Sequence, residues 1–150
     1  MLQDNIKTKG TLSLVLTDEF GNVKQQDEHN LVVSPGLAYI ASRMKDATAN
    51  VMSHMAVGAG STAAAAANAA LGNELGRVTL TSTTIVTTSV ANDAVQYVAT
   101  FAAGTGTGAI TEAGIFNDAV TGTMLCRTVF AVINKGALDT LTITWKVTVA

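Results

Sequence analysis

The sequence predicts a mostly β fold, an antiparallel β-sandwich or flattened barrel with one short helix packed on a sheet, and three observations carry that reading. From Arg77 onward Thr and Val dominate, and a branched Cβ fits a pleated surface while costing slightly in a helix. Turn signals cut this half into short pieces: Asn92-Asp93, the glycines at 104, 106 and 108, Asn117-Asp118, Gly122 and Asn134-Lys135-Gly136. The last segment alternates cleanly, with Leu141, Ile143, Trp145, Val147 and Val149 on one face and Thr140, Thr142, Thr144, Lys146 and Thr148 on the other.

Each element follows in order. Residues 1–10 are polar and unpatterned and are expected as a flexible N-terminal arm before a single domain over 11–150. Leu12, Leu14 and Leu16 alternate with polar neighbours in a half-buried strand that turns at Asp18-Glu19-Phe20-Gly21-Asn22. Residues 23–33 read as an exposed hairpin arm ending in a short buried strand at Leu31-Val32-Val33. Ser34-Pro35 then predicts a helix start, with Ser34 capping the free N–H groups and Pro35 at the first helical position. Leu37, Ile40, Ala41 and Met44 share the face expected to lie on a sheet, Arg43, Lys45 and Asp46 face water, and the helix ends near Asp46 or Ala47. Residues 52–58 are a further strand. The stretch 58–70, with its alanine tract broken by Asn68, is expected as an ordered loop holding a helical turn. The remaining strands are placed at 78–82, 84–89, 94–101, 109–116, 124–132 and 138–149, with Val95, Tyr97, Ala99 and Phe101 repeating the alternation of the last one.

The 150 residues fit one domain, and a domain of that size buries about 68–70% of its unfolded surface. Only 13% of residues are charged and the net charge is −2, against roughly 25% charged in an average soluble domain. With 48% hydrophobic residues, such a surface is expected to be partly covered by neighbouring subunits. The nine Lys and Arg are scattered, which disfavours nucleic acid as a partner. No apolar run reaches the 18 or so residues of a membrane span and nothing at the start reads as a signal peptide, so a soluble protein without membrane association is expected.

Chemistry is sparse. Residues 58–62, Gly-Ala-Gly-Ser-Thr, lack the third glycine of a dinucleotide loop and the Lys-Ser/Thr of a phosphate loop. His29 and His54 stand at no metal-ligand spacing. Cys126, the single cysteine, sits mid-strand with Met124 and Phe130 on its face and reads as a core residue. Asp27-Glu28-His29 reads as a solvated hairpin edge. Glu112, alone in an apolar strand, is expected to pair with Arg127 or to accept from a turn's backbone; without a partner acid it cannot run hydrolysis. No catalytic, cofactor-binding or metal residue is assigned, no cofactor is implied, and the expectation is a protein that is not an enzyme.

Thr111-Glu112-Ala113-Gly114-Ile115-Phe116-Asn117, then Gly122-Thr123-Met124-Leu125-Cys126-Arg127-Thr128-Val129-Phe130, then Asn134-Lys135-Gly136 and Asp139-Thr140-Leu141-Thr142-Ile143-Thr144-Trp145 resemble a β-domain recurrent in tailed-bacteriophage virion structural proteins. Residues 52–58 and 74–77 extend the resemblance over roughly 10–150. It implies a place in the virion, assembled in the host cytoplasm, and contacts through symmetry: a homo-oligomer, with a trimer favoured, bound to the major capsid protein as a capsid decoration or cement protein. The alternative it implies is a tail-fibre attachment, collar or baseplate protein, with tail or fibre proteins as partners. The absence of a shaft-like repeat and the 5% aromatic content favour the capsid role. Contacts are expected from residues 1–10, the hairpin tip at 18–22 and the loop 58–70.

Overall fold

The computed structural model describes residues 6–150. Nine strands and one helix run in the order β1 (Thr8–Thr17), β2 (Val23–Val32), α1 (Ser34–Lys45), β3 (His54–Gly58), β4 (Glu74–Thr79), β5 (Ser82–Val86), β6 (Ala94–Phe101), β7 (Gly108–Phe116), β8 (Met124–Lys135) and β9 (Thr140–Val149). All pair antiparallel, in the order β4-β3-β7-β8-β2-β1-β9-β6-β5. The mostly β architecture read from the sequence is the one observed, a curled antiparallel sheet of flattened-barrel or sandwich form with one helix.

Two narrow seams make one sheet behave as two packed layers. β2 pairs with β1 from Val23 to Asn30 but with β8 only through Leu31↔Arg127 and Val32↔Cys126, so the ribbon folds over there. At the opposite side β4 and β5, the two outermost strands, are consecutive in the chain. Leu80 donates its N–H to the Ser53 carbonyl beside β3, and the next residue, Thr81, donates to Val98 of β6. The chain thus steps from one margin of the sheet to the other within a single peptide unit, a corner of the kind that lets an open sheet curl without leaving both edges bare.

The core lies between the layers. Leu12, Leu14 and Leu16 of β1 stand opposite Trp145, Ile143 and Leu141 of β9, and Tyr97, Ala99 and Phe101 of β6 oppose the same three β9 residues. Met55 and Val57, Ile110, Ala113 and Ile115, and Cys126, Phe130 and Ile133 supply the facing layer. Trp145 is fully buried, and its indole N–H donates to Asn30 Oδ1 at 2.9 Å. A smaller cluster of Val33, Ala56, Phe116 and Met124, with Leu71 against it, lies on the other face of β3, β7 and β8. Met124 belongs there rather than beside Cys126, because the β7/β8 register slips between Ile115 and Phe116.

Several boundaries differ from the sequence reading, each for a local reason. Of the arm expected over 1–10, residues 1–5 lie outside the described residues, while Thr8, Lys9 and Gly10 pair with Val149, Thr148 and Val147. Gly10 hides the alternation because it offers no apolar side chain where the Asn30 side chain lies. The arm and its buried end form one continuous strand, β2, which carries Asp27, Glu28 and His29 along its polar length; Val32 and Val33 are buried as expected, whereas Leu31 is exposed. The helix is capped at Val33 and Ser34 makes no side-chain cap; instead its N–H donates to the Ala66 carbonyl at 2.7 Å. The face turned inward is Gly36, Tyr39 and Ile40, leaving Leu37 47% and Met44 84% exposed. A Cβ at Gly36 would overlap the Leu125 carbonyl, so the helix settles on its glycine and its stripe turns away from the sheet. Residues 59–73 form, as expected, a loop with a single turn, in which the Asn68 N–H donates to the Ala65 carbonyl and Asn68 Oδ1 accepts from the Ala65 N–H.

Candidate interaction surface

Glu112 and Arg127 are both buried, yet they face away from the main core. Glu112 lies on β7 with Gly114 and Phe116, under the 59–73 loop, and Arg127 is paired with Gly114 on β8. Glu112 Oε1 accepts from the N–H groups of Gly60 and Asn73, each at 2.8 Å, and Oε2 from Gly72 at 2.9 Å. Arg127 meets Oε2 with Nε at 3.0 Å and Nη2 at 2.8 Å. Its remaining donors reach the carbonyls of Thr62 and Ala63 and Oδ1 of Asn68. Both expected partners of Glu112, Arg127 and a turn's backbone, are therefore present at once. Burial pushes the Glu112 carboxyl up, but the three backbone donors and the guanidinium outweigh it and hold the group below the usual glutamate range. A Cβ on Gly60 would run into this carboxylate, which explains a glycine at that point of the loop.

The consequence is a loop that is rigid from below and open from above. Thr62, Ala63, Ala65, Ala66, Ala67, Ala69 and Ala70 are exposed, although the backbone beneath them is tied to one charged pair and, through Ala66, to the start of α1. The hairpin tip at 18–22 is likewise exposed and ordered: Asp18 Oδ1 accepts from the N–H groups of Phe20 and Asn22.

A second surface lies between α1 and β5. Tyr39, Ile40 and Arg43 of the helix, Val51 and Met52 after it, and Ile85, Val95, Tyr97, Val147 and Val149 of the sheet enclose an apolar cleft of about 530 Å³. Val51 is 59%, Ile85 61% and Val149 41% exposed. The Tyr97 phenol points into this region, and burial raises it well above its ordinary value, so it is neutral. β5 forms one wall and is the outermost strand on its side. Its hairpin to β6 is fixed by Asp93, whose carboxylate accepts from the N–H groups of Thr88, Ser89 and Val90 and from the Thr88 hydroxyl, which holds it well below the usual range.

The remaining residues singled out in the sequence do not gather. Cys126 is fully buried, and burial pushes its thiol up, as suits a core residue rather than a nucleophile. His54 Nδ1 bonds the Ser53 hydroxyl, while His29 lies on the polar face of β2. Among the described residues no three His, Cys, Asp or Glu side chains are placed to hold a metal ion, and no helix is long and apolar enough to cross a membrane. The threonine face of β9 borders a shallow polar depression of about 360 Å³ with Thr11, Asp27, Gln96 and Lys146. Sequence reasoning missed the cleft, since its parts are distant in the chain; the one signal was the run of 78–92 without any charged residue. No protein-family model, curated protein or solved structure is found to match this chain.

Proposed function

We propose that this chain is a non-enzymatic structural subunit of a tailed-bacteriophage virion, a capsid decoration or cement protein that reinforces the shell through contacts with itself and with the major capsid protein. The observation that carries the reading is the contiguous, largely apolar surface formed by the cleft and β5, where Val51, Ile85 and Val149 stand exposed together and Arg43 is the one charged residue. A lone monomer gains nothing from such a patch, whereas an assembly covers it. The rigid loop over Glu112 and Arg127 supports the same reading, because a contact surface that is already ordered loses little entropy when it docks. The resemblance to phage virion proteins falls on β7, β8 and β9, the strands that build the core and hold that loop.

The test is the number of copies of this chain per purified particle, measured by quantitative mass spectrometry against the major capsid protein. A number comparable with that of the capsid protein is expected. A small fraction of it would move the chain to the tail, as a fibre-attachment, collar or baseplate protein. Absence from the particle would overturn the virion reading.

A further inference from the structure

We propose that the free edge of β5, together with the cleft beside it, binds a second copy of this chain, the two β5 strands pairing antiparallel about a two-fold axis. This rests on the self-association in the reading above and assigns it a surface.

Three observations point to that occupant. First, β5 is paired on one side only: among the described residues, no backbone hydrogen bond joins Thr83, Thr84, Ile85 or Val86 to anything but β6. An edge strand leaves alternate N–H and C=O groups turned outward, ready to pair with another strand. Second, the edge carries no charged or proline guard. Between Arg77 and Asp93 there is no charged residue and no proline, and a lysine or proline on an edge is the common device against unwanted pairing.

Third, the charge pattern favours a copy over a foreign partner. In an isologous contact every residue meets its own surface, so any charge near the axis faces its like. A strand centred on Thr84 would set Ser82 opposite Val86 and Thr83 opposite Ile85, all uncharged. A partner recognised through charge would call for at least one complementary side chain on this edge; β5 has none, and Arg43, the one charge lining the cleft, is turned to the Ala47 and Ala49 carbonyls. Strand pairing over five residues is too small alone, since stable dimers bury roughly 1,200–2,000 Å² in total. The cleft adds apolar contact beside the strand: Ile85 projects into it on the same side as Thr83, and Val51 and Val149 line its mouth. Each copy's Ile85 then lies beside the other's Thr83 and closes the neighbouring cleft. The arrangement is two-fold, which departs from the trimer implied by the family resemblance.

The test is sedimentation equilibrium of the purified full chain and two variants. Wild type is expected as a dimer. Ile85→Lys, at an exposed position, sets two like charges across the axis and is expected to weaken the dimer by roughly tenfold or more, with the circular dichroism spectrum of the folded chain retained. Val132→Lys, at another exposed position on β8, far from β5 in the strand order, is expected to stay dimeric. A monomer at all concentrations overturns the proposal, as does an oligomer that survives Ile85→Lys or one that contains three copies. None of these results bears on copy number in the particle, so the two proposals fail separately.

Discussion

Glu112 accepts five hydrogen bonds, two from Arg127 and three from loop N–H groups. A buried ion pair of this kind adds little net stability, because desolvation offsets the attraction, but removing one partner strands the other. Arg127→Met is therefore expected to cost about 3–5 kcal/mol in urea unfolding and to open the 59–73 loop to proteolysis while the strands remain protected. The same pair sets an acid dependence. The folded carboxyl is held below the ordinary value of 4.5, so its contribution is complete above that value and is lost as pH falls through the lowered folded one. Unfolding free energy measured from pH 6 downward is expected to fall on this account, and Glu112→Gln is expected to flatten the slope at the expense of lower stability at neutral pH. The pairing of Glu112 with Arg127 was legible in the sequence as a lone carboxylate and a lone cation in two apolar strands. Donation from a turn's backbone was legible as the alternative, but which N–H groups supply it, those of Gly60, Gly72 and Asn73, was not, since backbone N–H groups carry no residue signature.

At the scale of elements, the helix is the place where pattern and packing part. Leu37, Ile40, Ala41 and Met44 form a regular stripe, yet only Ile40 packs against the core, because Gly36 lets the helix backbone press on β8 and fixes its rotation. Gly36→Ala has no room beside the Leu125 carbonyl and is expected to destabilise by about 1–3 kcal/mol, read as a lower urea midpoint with the same slope. It should also loosen the Ser34 N–H bond to Ala66 and with it the loop above Glu112. Strands were far easier to read than this helix. β6 runs over the predicted residues, and β9 buries Leu141, Ile143, Trp145 and Val147 as its alternation requires, with only Val149 left exposed, in the cleft. β4 and β5 were harder: neither shows a clean apolar alternation, and β4 is set by its pairing with β3 across the long 59–73 loop.

For the whole molecule, composition announced the fold class, but the way the sheet closes was hidden. Closure depends on a two-pair seam at β2 and on Leu80 and Thr81 bonding to opposite margins, and neither leaves a periodic trace. The apolar cleft arises from that closure, because it is what brings β5 to the side of α1. The β4–β5 corner also ties two remote places together mechanically. One end of this run leaves the loop anchored on Glu112, and the other forms the bare margin beside the cleft. A force applied to β5 would be carried along an extended lever to the charged staple, so grip at one surface would be felt as tension at the other.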